Sequence, residues 1–156
     1  MSFDPNAYEG RPADALKALR EADARTLFPN SRAPEAALAG LYLRFGGWAE
    51  AHEIAQNIET AEGSYWHGLV HREEPDDSNA AYWFRQVGRH PIFPALAQAA
   101  QAAGIGNGEA WDPYEFIRIC AQARELPGSD VARRAFEVQR AEWKLLFDYC
   151  AAEEGS

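Results

Sequence analysis

SYWHGLVHREEPDDSNAAYWFRQVGRHP, residues 64–91, decides how this chain folds. Its first part carries Trp66, Leu69 and Val70 at the three- and four-residue steps of a buried helical stripe, and EEPDD then stops the helix with a proline among crowded carboxylates. Ser78 is placed to cap a second helix, Ala80, Trp83, Phe84 and Val87 give that helix an apolar face, and Gly88 ends it. The segment therefore reads as a helical hairpin. It also holds three of the four histidines, two of the five tryptophans and three arginines, so much of the chain's reactive chemistry falls on one supersecondary unit.

The same period runs outward in both directions. Pro12 opens a thin helix with Leu16, Leu19, Leu27 and Phe28, which reads as a lid or cap before FPNSRAP breaks it. From Pro34, the residues Leu38, Leu41, Tyr42 and Phe45 mark a buried stripe that Gly46-Gly47 stops, and Trp48, Ala51, Ala55 and Ile58 mark the next. Beyond the hairpin, an alanine-rich helix over 92–103 runs into the GIGNG loop. Asp112-Pro113-Tyr114-Glu115 then has the order of a helix start, with a capping carboxylate, proline at the first helical position and Glu three residues after the cap. The pattern predicts helices over 113–125 and 130–151. The last carries two apolar stripes, Val131, Ala135, Val138, Leu145 and Tyr149 beside Phe136, Trp143, Phe147 and Cys150, an arc wide enough to be buried on two sides. No alternating strand pattern occurs. The expectation is a single all-α domain over residues 1–156, built of antiparallel hairpins at 35–60 and 64–90 and the two C-terminal helices, with about seven or eight helices in a stack or compact bundle.

Composition narrows the partners. The 156 residues are 47% hydrophobic and 12% aromatic, enough to bury a core. A formal charge of -9 opposes a nucleic-acid backbone or an anionic membrane surface as the main partner. Cys120 and Cys150 both lie within apolar helical patterns with no short pairing between them, which reads as free, packed thiols and a cytoplasmic location. Lys17 and Lys144 are the only lysines among 15 basic residues; the arginine excess suits carboxylate or anion recognition and equally the codon bias of a GC-rich bacterial genome.

GGWAEAHEIA from Gly46 aligns with PDDSNAAYWF from Pro75 at an offset of 29 residues. Gly46, Trp48 and Ala51 in the first copy, and Asp76, Ala80, Trp83 and Phe84 in the second, resemble the turn and second helix of tetratricopeptide and Sel1-like repeats; AAYWFRQV is especially similar to the Sel1 form. The resemblance covers roughly a third of the chain and implies a right-handed stack of helical hairpins serving as a protein-binding surface. It places Leu38, Ala39 and Tyr42 on the repeat's first-helix leucine, small residue and aromatic, positions filled in the second copy by His67, Gly68 and His71. The stretch 71–91 is also similar to one in uncharacterised bacterial and fungal helical proteins, a group with no assigned activity.

Three chemistries compete for these residues. His67 and His71, at i and i+4, project from one helix face at a separation that a divalent metal such as zinc can bridge, with His52, His90, Glu74 or Asp76 as a further ligand. HGLVH lacks the glutamate that follows the first histidine in HExxH metalloproteases, and neutral core histidines would have the same spacing. Alternatively, Arg72, Arg85 and Arg89 with His67, His71 and His90 form a cationic pocket for a small anion, walled by Trp66, Tyr82 and Trp83. Against this, EEPDD offers Glu73, Glu74, Asp76 and Asp77 as partners for Arg72. Asn79 would either orient a ligand or brace the turn. A histidine acting as acid or base would pair His71 with Asp76 or Glu74. Trp48, Phe84 and Trp143 are assigned to the core.

The first reading of function is a repeat-like binding module without a cofactor, its ligand surface on the 64–91 hairpin formed by His67, His71, Arg72, Asn79, Trp83, Arg85, Arg89 and His90, taking a protein or peptide partner or a small anionic ligand. The rival is a small metal-dependent or histidine-based enzyme using His67, His71 and His90. An enzyme would gather its histidines around a concave pocket, whereas a module would expose a groove.

Overall fold

The computed structural model describes residues 3–155. It is all-helical, with no strand among the described residues and one isolated bridge between Ser31 and Glu153. After a 3-10 turn at Pro5–Tyr8 come α1 (Pro12–Arg20), α2 (Ala24–Leu27), α3 (Pro34–Arg44), α4 (Trp48–Gln56), α5 (Ala61–Glu73), α6 (Asp77–Val87), α7 (Phe93–Ala102), α8 (Pro113–Glu125) and α9 (Asp130–Ala151). The two C-terminal helices have the predicted bounds. Asp112 accepts from the backbone N–H groups of Tyr114 and Glu115 at 2.9 and 3.1 Å, and Ser129 accepts from Ala132 at 3.2 Å, so each satisfies donors that the first turn leaves without partners.

Two expected boundaries move. The thin first helix is two helices, because Asp23 caps a new start by accepting from the Thr26 N–H at 3.1 Å. They are also more than a lid: Ala15, Leu19 and Ala24 are buried in the main core. At the second hairpin, Asp76 rather than Ser78 occupies the N-cap position, and its carboxylate is turned toward Asn79 and Ser78 instead of the backbone.

Consecutive helices α3 to α6 pack on their neighbours, and α9 lies across α3, α7 and α8. Close approach sets this geometry. A Cβ on Gly40 would stand 2.5 Å from the Trp66 ring, so only glycine lets α5 lay that fully buried indole against α3. The Gly40 carbonyl accepts from the Trp143 indole at 2.8 Å, which ties α9 to the same spot. The apolar interior has two parts. The larger joins α1 through α6 with Leu146 and Cys150 of α9, and the smaller gathers Leu96, Ala100, Phe116, Cys120, Ala135 and Val138. Both thiols are free and buried, as expected, and burial pushes Cys150 up to about 12.

Three side chains depart from the apolar pattern. Trp48 is 44% exposed and Phe136 is 59% exposed, although both lie on predicted stripes. The stripe of α4 runs on past its partner: Ala51 and Ala55 meet the core, while Trp48, at the helix start, stands over a cleft of about 490 Å³ shared with Arg72, Cys120 and Phe136. Conversely, Glu142 of α9 is fully buried. Its carboxylate accepts from Tyr65 at 2.7 Å and from Arg72 at 2.5 Å, making a buried ion pair between α5 and α9. No helix among the described residues is long and apolar enough to cross a membrane.

Candidate metal centre

Helices α4 and α5 are antiparallel neighbours joined by residues 57–60, with Thr60 capping α5 through the Gly63 N–H. His52 and His67 stand almost equidistant from this linker, so the hairpin brings them face to face with their Nε2 atoms 3.0 Å apart. His71 follows His67 by one turn. Its ring lies nearly parallel to that of His67, 5.0 Å between centroids, and meets His52 edge-on at 5.3 Å. One ligand nitrogen from each of the three lies within 4.8 Å of the other two. Trp83 of α6 closes the inner side, stacked on His67 at 3.9 Å and 15°.

The His67 and His71 imidazoles favour their neutral form. Burial, then the neighbouring His52 and His71, lowers the pKa of His67 to about 4, and burial and His52 lower that of His71. The Nδ1 atoms of both are buried without a hydrogen-bond partner. Between the two Nε2 atoms at 3.0 Å, one must present a lone pair to the other's N–H. His52 and His67 set two nitrogens 3.0 Å apart, close to a tetrahedral zinc-type centre, in which metal–nitrogen bonds of about 2.0–2.1 Å put ligand nitrogens about 3.3 Å apart, and His71 brings a third within 4.8 Å. Glu74 Oε2 and Asp76 Oδ2 stand 3.8 and 3.9 Å from His71 Nδ1, outside the cluster.

The remaining candidates do not join this centre. His90 is buried elsewhere: its Nε2 is 2.9 Å from Glu62, its Nδ1 accepts from the Ile92 N–H, and Tyr149 meets its ring edge-on at 4.8 Å. Those contacts fix its tautomer with Nε2–H toward the carboxylate, which is the bonding of a satisfied core histidine. Arg72 does not pair with the adjacent acidic turn, because its guanidinium is buried against Glu142. Burial works against its charge, and the Glu142 carboxylate more than offsets that, so the group stays ionised. Arg85 and Arg89 are exposed, Arg85 lying 5.9 Å over the Tyr82 ring, while Trp66 is fully buried. Asn79 braces the turn by donating to Asp76 at 2.7 Å.

His52 is the member that the linear motif did not single out, since it stands alone on its helix. The signal for it was hairpin symmetry about the 57–60 linker. Glu142 carried no signal: within α9 it reads as an ordinary solvated charge. What fold and site together define is an all-helical protein with three imidazoles gathered between consecutive hairpins. No family model matches the chain, and neither a curated protein nor a solved structure does.

Proposed function

We propose that the protein is a helical binding module whose two central hairpins are fastened by a divalent transition metal of the zinc class, held by His52, His67 and His71. The observation that carries this reading is the convergence of three histidine nitrogens within 4.8 Å, contributed by both hairpins. Three imidazoles without a thiolate suit zinc, copper, nickel or cobalt rather than magnesium or calcium, which take oxygen ligands. The repeat register supports the placement. α4 and α6 begin at Trp48 and Asp77, 29 residues apart, and the buried Leu38 and Tyr42 of α3 correspond to His67 and His71 of α5. Where the first hairpin closes its core with apolar side chains, the second offers ligands.

Two clefts, one at Trp48 and Phe136 and one at the GIGNG loop, stand apart from the imidazoles and support the reading as a binding module. The surface offered to a protein or peptide partner comprises Tyr82, Arg85 and Arg89 of the 64–91 hairpin, all exposed. A cytoplasmic location belongs to the same proposal, supported by the two free thiols.

Metal analysis of the purified protein, with zinc titration of the chelated form, tests it. One equivalent should bind and raise the melting temperature, by about 2.7 kcal/mol of stabilisation at a hundredfold excess over Kd. His67→Ala/His71→Ala should abolish both effects. An unchanged melting curve across the zinc titration, with no metal in the purified protein, would defeat the reading.

A further inference from the structure

The turn after α5 does more than reverse the chain. We infer that Asp76 is a positioning residue for the metal centre: it accepts a hydrogen bond from Nδ1–H of His71 and thereby turns the lone pair of Nε2 toward the ion. This rests on the metal reading above. Three observations lead to it. His71 Nδ1 is buried with no hydrogen-bond partner, and a buried N–H or lone pair in that condition is costly unless some state of the protein satisfies it. The nearest acceptors are carboxylates just out of reach, Glu74 Oε2 at 3.8 Å and Asp76 Oδ2 at 3.9 Å, so a ring movement of about 1 Å brings either to the ordinary hydrogen-bond length. Of the two, Asp76 is the one held in place.

Asn79 donates to Asp76 Oδ2 at 2.7 Å, Ser78 reaches Oδ1 at 3.5 Å, and the Asp76 backbone N–H donates to the His71 carbonyl at 2.8 Å. The carboxylate is therefore tied both to the turn and to the residue it would orient. A metal-bound imidazole needs such a partner: coordination withdraws electrons from the ring and makes the distal N–H a stronger donor, while the carboxylate fixes the tautomer and raises the basicity of the ligating nitrogen. The line Asn79, Asp76, His71 and metal gives the acidic turn and Asn79 one common task.

Cobalt(II) absorption titrations separate this inference from the reading beneath it. Wild type should show the visible bands of a tetrahedral nitrogen-ligated site. Asp76→Asn should bind about 10- to 100-fold more weakly with altered band positions, yet melt like wild type without metal, since asparagine keeps a side-chain oxygen that accepts from Asn79. Asn79→Ala should weaken binding in the same direction, and Glu74→Gln should leave it unchanged. If Asp76→Asn matches wild type in affinity and spectrum, or if only Glu74→Gln weakens binding, the role of Asp76 is overturned while the metal centre stands. If wild type shows no cobalt bands at all, the centre itself is lost.

Discussion

Glu142 and Arg72 show how one pair of side chains can fasten a fold. Each is almost wholly out of water, and each compensates the other's charge; Tyr65 takes the second carboxylate oxygen. Burial, followed by that carboxylate, holds the Tyr65 hydroxyl well above its usual range, so it remains a donor. Removing one member strands the other. Arg72→Met should cost about 3–5 kcal/mol, because an unpaired carboxylate is then left in the core, whereas Arg72→Met/Glu142→Leu should recover most of the loss. Urea unfolding of the two single variants and the double variant measures this; a double variant no more stable than Arg72→Met would show that the pair is not coupled. The contrast with His90 is instructive, for Glu62 satisfies its Nε2 and the Ile92 N–H its Nδ1, and nothing about it is poised for a ligand.

At the scale of helices, small residues decide which surfaces meet. Gly40 both admits Trp66 and accepts from Trp143, so α3, α5 and α9 meet at one backbone position. Gly40→Ala gains helix propensity, about 1 kcal/mol, but forces a methyl into the indole; the overpacking, about 1–3 kcal/mol and more where nothing yields, should win and lower the melting temperature. A melting temperature at or above wild type would mean that α3 and α5 move apart freely. This element scale is where the sequence was most and least informative. Proline and capping signals at Pro113, Asp112 and Ser129 set α8 and α9 because they act within a few residues of themselves. Trp48 and Phe136 were misjudged, and Glu142 drew no reading, because their burial depends on where a neighbouring helix stops or what crosses it, which no local period encodes. The site was half visible for the same reason. His67 and His71 are related by one helical turn, but His52 enters through the pairing of two helices, and Arg85, Arg89 and His90 share the segment without sharing its inner face.

Across the whole molecule, α9 carries Ala135 and Val138 in the smaller apolar cluster and Leu146 and Cys150 in the larger, so unfolding that releases this helix opens both. The protonation of the imidazole centre should therefore appear in global stability. In the metal-free protein His67 titrates at about 4, against 6.5 when unfolded. Between those values the unfolded chain binds the extra proton and the folded chain does not, so stability is at its full value above pH 6.5 and falls as the pH drops toward 4. The direction for His71 is the same. For His67 the integrated loss is up to about 3 kcal/mol, most of it present by pH 5. On the metal reading proposed above, zinc should oppose the trend at neutral pH and lose hold as protons compete for the same nitrogens. Urea midpoints of chelated protein from pH 7.5 to 4.5 should fall, and His67→Gln should flatten the slope; equal slopes in the two proteins would place the acid sensitivity elsewhere in the fold.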